Sequence, residues 1–276
     1  MLTVRNLSVK TANRYLLNNI NVSLCPGELT IILGANGAGK STFINAIAGG
    51  DSTATASLTI SGQVFYNEQS LQHLSARTLA KKRAVMPQQV QLSFPFKVKE
   101  VILMGRSPHG ISKSARTFVS HSMDLLEISH LKERFYPSLS GGEQQRVQLA
   151  RVLCQVWHDG EHSDCHFLLL DECTSALDPA HQHLVFEIIQ EFTHANLVCC
   201  AIMHDLQIAA QYGERILLMK SGKIIADGKP KDVMTHENLA ETYNLRTKII
   251  DHPQVDNPII IGLGRHKSYQ ENSIGR

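Results

Sequence analysis

The feature that most constrains this 276-residue chain is an apolar run, Leu29-Thr30-Ile31-Ile32-Leu33, followed at once by Gly34-Ala35-Asn36-Gly37-Ala38-Gly39-Lys40-Ser41. The apolar run is bounded by Gly27 and Gly34 and reads as a buried strand, while Ser41 to Ala48 has the composition of a helix. The octet between them fits GxxxxGK[ST] in the strand–loop–helix context that gives the motif meaning. Glycines let the backbone curl until successive N–H groups and the helix N-terminus point at phosphate oxygens. Lys40 adds a cation, and Ser41, with Thr42 beside it, brings a hydroxyl suited to Mg²⁺. The bland alternative is a glycine-rich turn, which this context disfavours.

Short strand-like runs then alternate with helical patterns, the sign of a parallel sheet with crossover helices. Leu2 to Val9, Ile20 to Leu24 and Gly62 to Phe65 read instead as a small antiparallel sheet. Residues 73–150 are richer in helix formers. The expected fold is α/β: a P-loop NTPase core of RecA-like form over 1–88 and 140–245, with the antiparallel β subdomain and an inserted helical lobe over 89–139. Phe167 to Leu170 and Leu197 to Met203 supply further core strands, and Val233 to Tyr243 a helical pattern. Residues 246–276 form a C-terminal extension with a strand-like Pro258 to Ile261 and a loose tail.

Composition removes several classes of function. With 43% apolar and 19% charged residues the chain is globular rather than disordered. Its 27 basic and 25 acidic residues leave a net +2, which Arg265, Lys267 and Arg276 against Glu271 already account for. The body is neutral, so no nucleic-acid partner is expected. No apolar run approaches the roughly 18 residues of a membrane span, and Met1 to Asn6 lacks the pattern of a secretory signal, so the chain is expected to stay in the cytosol. Six cysteines form no CxxC pair, and Cys199 and Cys200 lie in an apolar run where thiols act as small hydrophobes. His158, His162 and His166 have a spacing that would suit a metal on one helix face, but Asp159-Gly160 and the polar run to Asp164 read as a loop, so no metal is expected there.

Two further elements fit phosphate chemistry. His166 to Leu170 is an apolar strand ending in Asp171-Glu172; alone this would be a strand with an acidic turn. Beside a phosphate loop, Asp171 can reach the Mg²⁺ shell and Glu172 can polarise a water for in-line attack on a γ-phosphate. His204 follows the strand Leu197 to Met203 at its C-terminal end, the edge where open α/β sheets bind ligands. It can contact the γ-phosphate or simply cap the strand.

The run Leu139-Ser140-Gly141-Gly142-Glu143-Gln144-Gln145 is on its own a helix start with a capping box. It also resembles the signature of the ATP-binding cassette family of transport ATPases. The order phosphate loop, Gln88, signature, Asp171-Glu172, Ser175-Ala176-Leu177-Asp178 and His204 matches that family over nearly all of residues 1–245. The resemblance implies ATP and Mg²⁺, with Gln88 sensing the metal, Glu172 and His204 catalytic, and Ser140, Gly141, Gly142 and Glu143 contacting ATP held by a second subunit. It implies a homodimer on the cytoplasmic face of the inner membrane, joined to a permease dimer and, through it, to an extracytoplasmic substrate-binding protein. Two positions depart from the family pattern: Thr11 stands where an adenine-stacking aromatic is usual, with Tyr15 nearby, and Cys173 stands where proline usually follows the glutamate.

Within the family, Ser93-Phe94-Pro95-Phe96, Val101 to Gly105-Arg106-Ser107-Pro108 and Gln148 to Leu153 resemble the ATPases of importers for haem, iron siderophores and cobalamin. The long link Gln155 to His166 and His204 to Tyr212 are most similar to the haemin importers. The groove between Gln88 and Pro108, with its apolar cluster Phe94-Pro95-Phe96, is expected to dock a cytoplasmic helix of the permease; the alternative for such a cluster is a place in the core. Siderophore or cobalamin import, an exporter ATPase and a soluble cassette ATPase are the rival expectations.

Overall fold

The computed structural model describes residues 1–49, 58–88, 90, 92, 94–110, 112–157, 165–193, 196–254 and 257–265. At its centre is a six-stranded sheet in the order β10-β9-β3-β8-β7-β6. These strands are β3 (Leu29–Leu33), β6 (Arg83–Met86), β7 (His166–Asp171), β8 (Leu197–Ile202), β9 (Arg215–Lys220) and β10 (Lys223–Gly228). From β9 to β6 all neighbours are parallel, and β10 adds an antiparallel edge. β3, β7 and β8 are buried at every position, the pattern of strands covered on both faces.

The alternation of side chains divides the interior in two. Ile31, Leu33, Leu168, Leu170, Cys199 and Ala201 join a core that includes the helices of the middle third of the chain. Ile32, Phe167, Leu169, Val198, Cys200 and Ile202 face the other way, against α1 (Lys40–Ile47) and a second sheet. That sheet is antiparallel, in the order β2-β1-β4-β5, from β1 (Leu2–Lys10), β2 (Tyr15–Leu24), β4 (Thr59–Tyr66) and β5 (Gln69–Ser70). Tyr66 stacks on Phe167 with ring centroids 4.1 Å apart, joining the two sheets.

α2 (Ala76–Lys82) leads into β6. α3 (Val98–Met104) and α4 (Lys113–Leu125) lie within the stretch read as a helical lobe, and α5 (Gly141–Val156) follows the signature. α5 starts with a full capping box: Ser140 Oγ accepts from Glu143 N, while Glu143 Oε2 accepts from Ser140 N at 2.7 Å. α6 (Pro179–Phe192) is capped by Asp178, and α7 (Leu206–Tyr212) by Asp205. After α8 (Pro230–Val233) and α9 (His236–Tyr243), the extension forms a hairpin of β11 (Leu245–Asp251) and β12 (Pro258–Arg265). Gln207 of α7 holds it, accepting from Ile260 N at 3.0 Å.

Three features differ from the sequence reading. The stretch read as helix-rich contains β6, which the basic, helix-forming residues before it conceal. The strand expected from Pro258 to Ile261 runs on to Arg265 and pairs with a strand that periodicity does not single out. His166 opens buried β7 rather than lying on a helix, and His158 and His162 lie outside the described residues, as does Ser93.

Candidate active site

β3, β8, β7 and β6 are consecutive neighbours, so the segments leaving their C-terminal ends meet along one edge of the sheet. After β3 comes the phosphate loop. Gly34 is required there by close approach, because a Cβ would lie 2.3 Å from the carbonyl oxygen of Met219. Gly39 takes φ 101° and has Leu16 O where a Cβ would sit, at 2.6 Å. Lys40 turns back over the loop and donates from Nζ to Gly34 O (2.7 Å) and Ala35 O (3.2 Å). Burial pushes its ammonium below the usual range, opposed by the carboxylates of Glu172 and Asp171.

β7 delivers two adjacent acids into different surroundings. Asp171 ends the strand, 5% exposed; burial pushes its carboxyl up, while a hydrogen bond with the Ser41 hydroxyl opposes this. Its Oδ1 is buried without a hydrogen-bond partner, a cost that a cation would remove. Glu172 follows at φ 55° and swings out into the cleft. There Oε2 accepts from Gln88 Nε2 at 2.7 Å and Oε1 lies 2.5 Å from His204 Nε2. The cleft, of about 540 Å³, is lined by Asn36 to Thr42, Gln88, Glu172 and His204. Gly34, Ala35 and Asp171 lie behind it, at the strand ends.

The signature is placed elsewhere. Ser140, Gly141, Gly142 and Glu143 form the N-terminal turn of α5 and are not among the residues lining that cleft. They abut the Ser175–Asp178 turn instead: a Cβ on Gly142 would sit 2.9 Å from Ala176 O. Gln145 binds this turn twice, donating to Ser175 Oγ (2.8 Å) and accepting from Ala176 N (2.9 Å), and also donates to Glu172 O (3.3 Å). It thereby joins the signature helix to the backbone of Glu172. Gln145 stands in the signature run, but no local pattern gives it a role; the signal for it is spatial.

The two departures have local explanations. Thr11 is used in the β1–β2 turn, where its Oγ1 both donates to Arg14 O and accepts from Arg14 N. Tyr15 is half exposed, with Lys10 Nζ 5.4 Å from its ring centroid. Cys173 is fully buried and its thiol is pushed up to about 12 by burial, so it packs as a small apolar residue.

Ser41, Asp171 and Gln88 offer a hydroxyl, an unpartnered carboxylate oxygen and an amide oxygen, the hard donors that Mg²⁺ takes. The loop amides and Lys40 suit the phosphates of a nucleotide.

A family model described as ABC transporter matches residues 17–175. A protein named Hemin import ATP-binding protein HmuV from Gloeobacter violaceus is 40% identical over 96% of this chain and 94% of its own length. One of the same name from Escherichia coli O157:H7 is 40% identical over 95% of this chain and 99% of its own. Among solved structures, a dimeric ATP-binding cassette in a post-hydrolysis state with ADP and phosphate aligns with a TM-score of 0.69 and 25% identity, covering 83% of this chain and 98% of that one. The fold is also shared with a transporter assigned to the metal-chelate type, at a TM-score of 0.75 and 24% identity over 95% of this chain and 97% of that one. The nucleotide loop, the acid pair and a match of this extent place the chain in the ABC transporter family, as one of its ATP-hydrolysing subunits.

Proposed function

We propose that this chain works in pairs on the cytoplasmic side of an inner membrane, where ATP binding closes the pair and hydrolysis reopens it to drive the import of haemin through a permease. The observation that carries the catalytic part is the Glu172 carboxylate, held between Gln88 and His204 over the phosphate loop. Glu172 is the base that orients and deprotonates the attacking water, and His204 contacts the γ-phosphate as it transfers. Lys40 and the amides of Gly34 to Ser41, with Thr42, hold the phosphates. Ser41, Asp171 and Gln88 would hold Mg²⁺, which when bound would neutralise charge on the phosphate oxygens. Ser140 to Glu143 of one subunit complete the site of the other, since within one chain they lie outside the cleft.

The cargo reading is supported by the names of the full-length relatives, because nothing in an ATPase subunit need touch the cargo. An extracytoplasmic binding protein, acting through the permease, belongs to the same reading. Permease docking falls to the helical lobe, residues 89–139, the part inserted between the two segments of the core. There Phe94 is 69% and Phe135 50% exposed, on paired backbone: Tyr136 N donates to Phe96 O at 2.8 Å and Val98 N to Arg134 O at 3.0 Å. Phe96 packs inward against the core. The cluster of Phe94 to Phe96 thus divides into an anchor and an exposed face.

Glu172→Gln tests the catalytic reading. It keeps shape and ATP binding, and turnover is expected to fall by about 10²–10⁴-fold, with an ATP-bound dimer accumulating on gel filtration. Turnover near the parent rate would remove Glu172 from its role. Uptake by vesicles carrying the permease, compared for haemin, a ferric siderophore and cobalamin, tests the cargo.

A further inference from the structure

The run Gly105-Arg106-Ser107-Pro108-His109 is not among the residues lining the nucleotide cleft, yet it is built against the far end of the signature helix. Gly105 ends α3, and a Cβ there would lie 2.2 Å from the carbonyl oxygen of Arg151 in α5, so backbone meets backbone at that point. Arg106 is 7% exposed and donates from one guanidinium nitrogen to Cys154 O (2.9 Å) and Trp157 O (2.8 Å). His109 Nε2 lies 2.9 Å from Gln155 O. Three carbonyls at the C-terminus of α5, groups that a helix leaves without partners of its own, are therefore bonded by one five-residue turn. A cation at that end also complements the helix dipole.

The same helix end is tied in two more directions. The Arg106 guanidinium sits 4.7 Å from the Phe118 ring of α4, and Trp157 packs edge-on against His121 of α4 (4.8 Å) and Phe192 of α6 (4.7 Å). Gln155 Nε2 donates to Ala80 O and Arg83 O, where α2 passes into β6, the strand that leads to Gln88.

We infer that Gly105–His109 is a clamp that makes α3, α4 and α5 move as one body, with Arg106 a positioning residue that fixes the angle at which the signature turn at the opposite end of α5 is presented to a second subunit. The inference rests on the proposed role of Ser140 to Glu143 toward the partner's ATP. With the clamp released, closure of the pair must also order a loose helix, which weakens ATP-driven closure. Chemistry inside a closed pair is untouched.

Arg106→Leu, which keeps bulk and removes the donors, is expected to raise the KM for ATP severalfold and bring the Hill coefficient toward one, with kcat within about twofold of the parent. Arg106→Lys, with one compact cation, should fall between, and ATP-analogue binding by the separated subunit should not change. A merely structural Arg106 would lower Tm and the yield of active sites while leaving KM and cooperativity at parent values in the folded fraction, and that result overturns the inference. A second measurement needs no change at the clamp. Trp157 is the one tryptophan of the chain, so its emission and acrylamide quenching report on the clamp in the Glu172→Gln protein with and without ATP. A shut clamp leaves both unchanged as the dimer locks, apart from any change carried by the α6 contact, which Phe192→Leu removes; a shift that persists in the Phe192→Leu background means that lobe and helix part, and the inference fails. If no dimer locks, the proposed ATP-driven pairing has failed instead, which gel filtration tells apart.

Discussion

Glu172 occupies the left-handed backbone region, φ 55°, which costs a side-chain-bearing residue about 1–2 kcal/mol. That conformation turns its carboxylate away from the path of β7 and into reach of both Gln88 and His204. Asp171, one residue earlier, keeps the strand conformation and points to Ser41. Two adjacent acids thus acquire different environments, one half-open and one buried. At the β1–β2 turn a single side chain again decides. Thr11 is consumed by its turn, while Tyr15 begins β2 and the next residue, Leu16, presses its carbonyl against Gly39 of the phosphate loop. Tyr15→Ala is therefore expected to weaken ATP binding about 2- to 10-fold, the range of one aromatic stack. Titration of the purified subunit with a fluorescent nucleotide measures it, and an unchanged Kd would leave the phosphate loop carrying the affinity alone.

At the scale of elements, α5 is held at both ends, and its N-terminal end carries a titratable cap. The Ser140 N–H and hydroxyl bonded to Glu143 hold its carboxyl below the usual range. The folded state therefore binds that proton more weakly than the unfolded one. The stabilisation is complete above the unfolded value of about 4.3 and is lost as pH falls through the lowered folded value. Glu143→Gln keeps the box without the titration, so the stability difference between parent and variant, roughly 0.5 kcal/mol for so accessible a cap, should shrink on acidification below about pH 4.3. Denaturant melts at stepped pH would show it, and a difference that stays flat would discard the cause. The hairpin β11–β12 makes a second case. Gln207→Ala removes the acceptor of Ile260 N, and loss of one such bond, about 1 kcal/mol, should speed exchange of that amide about 5-fold in hydrogen-exchange measurements. Unchanged exchange would mean the hairpin stays in place without Gln207.

These elements also mark how far local sequence reaches. Gly34 to Ser41, Asp171-Glu172 and His204 are legible because each closes an apolar run, so composition alone places the strand ends. Gln145, Phe135 and the backbone bonds of Arg106 are not, since each pairs with residues 27 to 51 positions away, and no local pattern encodes such pairing. β6 is hidden because Arg83-Ala84-Val85-Met86 is only four residues long after a helical stretch, and it takes its strand form from β7.

For the whole molecule, the question is how a change in the nucleotide cleft reaches a membrane from a chain in which no helix, among the described residues, is long and apolar enough to span one. Gln88 bonds Glu172 within the cleft, and nearby in sequence stands Phe94, whose ring is the most exposed of the large apolar side chains described. Phe96 anchors that turn in the core, and Phe135, from the pairing segment, lies exposed on the neighbouring backbone. A groove of about 380 Å³ between α3 and α4, with Leu103, Val119 and Met123 as its apolar lining and Lys99, Arg116 and Lys132 among its charges, also opens on this lobe. A partner helix with apolar and acidic side chains fits that combination. Phe94→Asp alters only the exposed ring, so ATP binding and Tm of the isolated subunit should match the parent, while ATP-driven uptake by vesicles carrying the permease should fall at least 10-fold, as for a central anchor worth about 1.4 kcal/mol or more. Phe96→Asp, at a partly buried ring packed against the core, is the control in which Tm should fall. Undiminished uptake with Phe94→Asp would move the docking face away from this turn and leave the Gln88 segment without a route to the membrane.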